Sequence, residues 1–172
     1  AGLEPGVAGS FLQPVPLVEI TTHADATLDV RGPGGRLDLR YADDMVVWTR
    51  RPVPESRLKD AEVVYAGYGI VAPEYGWNDY AGLDVRGKLV LVLVNDPGFA
   101  TQDPALFSGN TMTYYGRWTY KFEEAVRQGA AGLLVIHETA PAAYPWAVVR
   151  NGAAQPQFDL MLEDPASQRL EL

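Results

Sequence analysis

The 172-residue chain contains no cysteine. This excludes disulfide staples, thiol catalysis and thiolate-bound zinc together, while leaving the compartment open. Histidine is scarce too: His23 and His137 are the only two. No apolar run approaches the ~18 residues that cross a bilayer; the longest, residues 89–94, has the length of a strand. Basic residues are few, 14 against 22 acidic ones, for a net charge of −8. They are scattered rather than clustered, which argues against nucleic acid as a partner. An acidic surface favours solubility and says little about fold. Ala1-Gly2-Leu3 has neither an initiator methionine nor a signal-peptide pattern, and 170–172 form no tail. The expectation is a piece of a longer chain.

What is present suits one globular domain. Hydrophobic residues make up 47% of the chain, and a chain of this size buries roughly 70% of its unfolded surface. Residues 1–16 read as a linker, because Pro5, Pro14 and Pro16 lack backbone donors; 11–17 is extended or an edge strand at best. A β-rich run follows at 17–22. Leu28 and Val30, then Leu37 and Leu39, alternate with aspartates around Gly32-Pro33-Gly34-Gly35, which predicts a hairpin. No Lys-Ser/Thr and no helix follow these glycines, so a phosphate loop is not the reading. A short strand is expected at 45–49, ended by Pro52 and Pro54. Residues 61–65 and 68–71 predict a strand pair or one bent strand, with Gly67 and Gly69 at a bulge. Tyr75, Trp77 and Tyr80 sit in a turn-rich loop over 73–80 that they are expected to brace.

The run 89–94 is apolar on both faces, the mark of a covered central strand. Further on, Trp118, Phe122, Ala125 and Val126 share a helical face, with Lys121, Glu123, Glu124 and Arg127 assigned to a polar one. Gly129 is a stop signal, and 132–137 predicts a second buried strand. Strand, helix and strand form a parallel βαβ unit. A short helix near 142–149 and a strand over 157–162 complete the pass. The class is β-rich α/β, with mixed sheets or a partly open barrel and one or two packed helices.

Candidate chemistry concentrates in 95–116, a connection longer than the ~12–15 residues of an ordinary loop. It leaves the carboxyl end of a parallel strand, where crevices open in α/β sheets. It holds Phe99, Phe107, Tyr114 and Tyr115, with Arg117 and Trp118 just beyond. Tyrosine and tryptophan give rigid contact area with a polar tip, and arginine can grip a carboxylate with two hydrogen bonds. Tyr114, Tyr115, Arg117 and Trp118, with Asn95 and Asp96 at the root, are therefore the candidate substrate or interface residues. The competing reading folds these aromatics onto their own sheet; it is favoured for Trp118, which opens the apolar helix face. Asp96 and Asp103 each precede a proline, where capping a turn is the better reading than binding calcium. Ser10, Ser56, Ser108 and Ser167 lack a Gly-x-Ser-x-Gly elbow.

Three stretches together resemble protease-associated domains. The first is Tyr65-Ala66-Gly67-Tyr68-Gly69-Ile70-Val71-Ala72-Pro73-Glu74 with Trp77-Asn78-Asp79-Tyr80. The second is Val85-Arg86-Gly87-Lys88 before the apolar strand. The third runs from Lys121 through Gly129-Ala130-Ala131-Gly132 to His137. The stretches 95–98 and 114–120 are similar to the version inserted in bacterial aminopeptidases of the two-zinc exopeptidase family, whose relatives include the transferrin receptor and glutamate carboxypeptidase. The match covers about residues 45–162.

The resemblance implies a swivelling β/β/α fold over 17–165, with 166–172 as an exit linker. It implies no catalytic residue, and zinc held only in the parent's catalytic domain. Partners would be that peptidase domain and a peptide or protein substrate, in a secreted or periplasmic setting. His23-Ala24-Asp25, Glu123-Glu124 and His137 imitate the family's metal ligands. The family's ligands come after the insert, however, and His137 precedes Asp159, so no metal site is expected here. Two rival functions remain: an independent peptide- or protein-binding module of a receptor-like protein, and a small hydrolase complete in itself.

Overall fold

A computed structural model describes residues 2–6 and 9–161. The expected domain end at 162–165 and exit linker at 166–172 lie outside the described residues. The chain is mixed α/β and β-rich. Among the described residues it has nine strands in small sheets and four α-helices, with no closed barrel. No helix among them is long and apolar enough to cross a membrane.

The first strand, β1 (Leu17–Ile20), pairs with the last, β9 (Gln157–Leu160), in an antiparallel ribbon. β2 (Thr27–Gly32) and β3 (Gly35–Arg40) form the expected hairpin, with Leu28 opposite Leu39 and Val30 opposite Leu37. The body follows. β4 (Val63–Tyr65) leads into two glycines and then the small pair β5 (Val71–Ala72) and β6 (Trp77–Asn78). β7 (Leu89–Leu93) is the centre of a three-stranded parallel sheet, flanked by β4 and by β8 (Gly132–Ile136). Between β7 and β8 the chain makes the short helix α1 (Pro97–Thr101) and the crossover helix α2 (Trp118–Arg127). α3 (Thr139–Ala142) and α4 (Trp146–Ala153) precede β9.

Burial explains the sheet order. Val90 and Val92 are fully buried and pack with Ala66, Val85, Ala125 and Leu133 between sheet and α2. A second cluster gathers Ile70, Ala72, Phe107 and Tyr120 beneath the 95–116 loop.

Three local expectations are corrected. Residues 45–49 form no strand; Met45 makes only an isolated bridge to Tyr41. Here side-chain packing prevails over pairing: Trp48 lies 5.9 Å from Trp118 and 6.3 Å from Phe122, ring centre to ring centre. In 68–71 only Val71 enters a strand. Gly67 and Gly69 both adopt left-handed backbone, and a Cβ on Gly69 would meet Val92 Cγ1 at 2.7 Å. A side chain there would have to displace a core residue. The helix expected near 142–149 is two helices, because Ala143 turns left-handed and Pro145 takes the extended position before α4.

Candidate functional site

The long connection after β7 is a compact knot rather than an open loop. Asn95 is left-handed, with φ of 71°. Its Nδ2 donates to Pro141 O at 2.8 Å, and its Oδ1 accepts from the Asp96 amide at 2.7 Å. Asp96, fully buried, caps α1: its Oδ1 accepts from Gly98 N at 3.1 Å. Its other oxygen reaches the far end of the loop, accepting from Thr113 N at 2.9 Å and Thr113 Oγ1 at 2.7 Å. Four hydrogen bonds thus tie the loop's root to itself and to its end. Asp103 likewise caps a turn, accepting from Ala105 N at 2.9 Å. Between them Phe107 is fully buried, stacked on Tyr75 at 4.3 Å with Trp77 and Tyr115 at its edges. So Tyr75 and Trp77 brace the long loop across the β5–β6 pair.

Lys121 fastens the knot. Its side chain is fully buried, against the expectation of a solvated helix face. The Nζ donates to Tyr68 O at 2.6 Å, Asn95 O at 2.7 Å and Tyr115 O at 3.0 Å. An ammonium has three donors, and each has found a carbonyl. The three carbonyls belong to the glycine turn after β4, the root of the loop and its end. One side chain therefore joins three segments. Burial pushes the pKa of Lys121 down to about 7, while the charges of Asp96 and Asp79 pull it upward. Asp79 supports the same turn, accepting from Tyr68 N at 3.2 Å and Ile70 N at 3.0 Å.

Glu124 is the second correction to the polar face. It is buried and accepts from Arg127 Nε at 2.8 Å and Gln128 Nε2 at 2.7 Å. The Tyr120 hydroxyl, also bound to the Val71 backbone, lies 3.3 Å away. Glu123 stays exposed. Adjacent glutamates thus have opposite surroundings.

The candidates separate into two groups. Asn95 and Asp96 lie inside, with side chains bound to the chain's own backbone; they shape the loop. Tyr115 is intermediate. Its ring packs on Phe107 and Tyr120, and its hydroxyl donates to Glu74 Oε1 at 2.6 Å. That bond, with burial, pushes the phenol up to about 12 and holds Glu74 below its ordinary range. Tyr114 is 52% exposed, and its hydroxyl donates to Glu123 Oε1 at 2.9 Å. Arg117 is exposed, with no carboxylate partner among the described residues. Trp118 is partly buried in the helix face against Trp48.

Sequence reasoning missed Lys121, Asp79 and Glu124. A signal existed for Lys121: it follows Trp118 by three residues and precedes Ala125 by four, which places it on the apolar side of the helix. The imitation metal ligands do not converge. His23 and Asp25 are exposed, and the His137 ring packs between Tyr144 at 5.4 Å and Trp146 at 5.8 Å. Among the described residues no three His, Asp or Glu side chains are grouped to hold a metal ion. Ser108 is exposed in a left-handed turn, with φ of 61°.

Compared with known proteins, the chain matches no family model, no curated protein and no solved structure.

Proposed function

We propose that this chain is a non-catalytic protease-associated domain, an insert that covers the substrate cleft of a zinc aminopeptidase or carries its protein contacts. The observation that carries the reading is the β1–β9 ribbon. Leu17 stands opposite Leu160, and the Met161 amide donates to Pro16 O at 3.1 Å. The strands leading into and out of the body therefore run side by side, as insertion into a host domain requires. The parallel sheet with its helical crossover agrees with the fold that the motifs at 65–80, 85–94 and 121–137 imply. The loop 95–116 adds support: it is rooted at the carboxyl end of β7 and clasped by Lys121, so Tyr114 and Arg117 stand on a fixed platform. Such a platform suits shaping a neighbouring cleft better than reacting.

On this reading the chain itself has no catalytic group. The zinc belongs to a peptidase domain of a longer chain, the substrate is a peptide or protein, and the setting is secreted or periplasmic. The test is aminopeptidase activity on aminoacyl substrates, with and without zinc, of this chain and of the longer natural chain that contains it. Turnover by the longer chain alone is the expected result. Chelator-sensitive turnover by this chain would overturn the reading.

A further inference from the structure

A second concave feature lies away from the 95–116 knot, between the start of α2 and α4. It is a cavity of about 250 Å³ with three aromatic walls, Trp48, Trp118 and Tyr144, beside Val148 and Val149. Trp118 is the neighbour the other two share: its ring centre lies 5.9 Å from that of Trp48 and 6.3 Å from that of Tyr144. The planes are inclined to one another by 33° and 64°. The three rings therefore turn about one space instead of stacking flat. All three are half-buried, and a further ring braces each outer wall. Phe122 meets Trp48 edge-on at 6.3 Å, and His137 lies 5.4 Å from Tyr144. The indole N–H of Trp118 is sealed from solvent, so the cavity meets the carbon surface of that ring.

The walls themselves select the occupant. Aromatic faces carry the negative part of the ring quadrupole and attract a cation within ~6 Å of their centres. Among the described residues no charged side chain lines the cavity. The amide of Gln157 at its border already donates to Gly152 O at 3.1 Å and Gln155 O at 3.0 Å. A ligand that must be hydrogen-bonded, such as a primary ammonium or a carboxylate, finds little here to replace its water. A cation with no N–H to satisfy loses nothing of that kind and gains three π faces. Charge at longer range agrees: the chain carries −8 overall, a field that gathers cations and repels anions. In an adjoining hollow of about 80 Å³, which shares Trp48 and Gln157, Arg50 faces Asp159 at 3.8 Å. Volume limits the ligand to a small one, since sites for drug-sized molecules run from ~300 Å³ upward.

The geometry points to a binding site for a small free quaternary ammonium ion of the choline class. The trimethylammonium head sits among Trp48, Trp118 and Tyr144, and the short tail extends toward the hollow. The cage is pre-formed by packed rings, so little ordering opposes binding. The site belongs to this chain and is independent of any peptidase domain.

The experiment titrates the chain at constant ionic strength with choline, with its uncharged carbon isostere dimethylbutanol and with ethanolamine. Calorimetry and tryptophan fluorescence read the binding. Choline is expected to saturate, and the other two to bind at least about tenfold more weakly. Val148, which lines the cavity and is 53% exposed, provides a test of sign that leaves the core untouched. Val148→Glu should tighten choline binding, and Val148→Lys should weaken it, each by about threefold or more. An apolar ligand would be weakened by both. Tyr144→Leu removes one wall and should weaken binding about threefold or more, while Tyr144→Phe keeps the ring and the affinity. The proposal is overturned by the absence of saturable binding, by an isostere that binds as well as choline, or by Glu and Lys at 148 acting alike.

Discussion

The βαβ body and the two antiparallel arms use similar sequence patterns to different ends. In the body, Val90, Val92 and Ala125 are fully buried, and even charged Lys121 and Glu124 are sealed in with partners. In the arms, Leu37 of the hairpin is 61% exposed and Phe158 of the ribbon 62% exposed. The hairpin instead carries surface ion pairs, among them Arg36 with Asp29 at 2.5 Å and with Asp38 at 2.7 Å. Exposed pairs of this kind contribute about 0–1 kcal/mol each. The comparison teaches that alternation guarantees pairing but not burial. The body derives its stability from enclosure, and the arms derive theirs from register.

The sharpest way to break the contrast is to hollow the body beneath the loop. Phe107→Ala removes a fully buried ring that Tyr75, Trp77 and Tyr115 surround, and should cost about 3–5 kcal/mol in denaturant unfolding. Lys121→Met comes next. It keeps the length of the side chain but leaves three carbonyls without a donor, at a cost of about 3 kcal/mol by the same measurement.

The same lysine gives a pH signature. Its folded pKa of about 7 lies below the ordinary 10.5, so between those values the unfolded chain holds more protons. Keeping the amine charged in its buried site therefore costs stability, in full below the folded pKa, and the cost is relieved as pH rises from about 7 toward the unfolded value. Stability of the parent measured across this window should rise with pH relative to Lys121→Met. A parallel pair of curves would show that the amine titrates alike in both states.

Smaller effects sharpen the edge of the comparison. Tyr115→Phe deletes the hydroxyl bound to Glu74 at the surface of the knot and should cost about 1 kcal/mol. It should also return the Glu74 carboxyl toward its ordinary range, which carboxylate titration by NMR would read. Least of all, Arg36→Ala in the hairpin should change stability by less than about 1 kcal/mol, even though it breaks two ion pairs.

Legibility followed the range of each interaction. The β2–β3 hairpin was readable because Gly32-Pro33-Gly34-Gly35 and the alternation beside it act within a few residues. β7 was readable because a run apolar on both faces has few stable uses other than a covered strand. The expected strand at 45–49 failed because Trp48 is held by α2, more than sixty residues away along the sequence shown. Of the candidate site, the position of the loop was legible. Its interior was not: Asn95 and Asp96 looked like groups aimed outward, and they are buried supports.

By itself the sequence determined the β-rich α/β class, the hairpin, the central strand and the crossover helix, since periodicity and turn chemistry are local. Only the tertiary structure decided which polar residues are enclosed. The Lys121 ammonium is held by carbonyls 53, 26 and 6 residues away, and a buried charge is tolerable only where such partners converge. Their convergence depends on how β4, β7 and α2 pack against one another, which no window of neighbouring residues encodes.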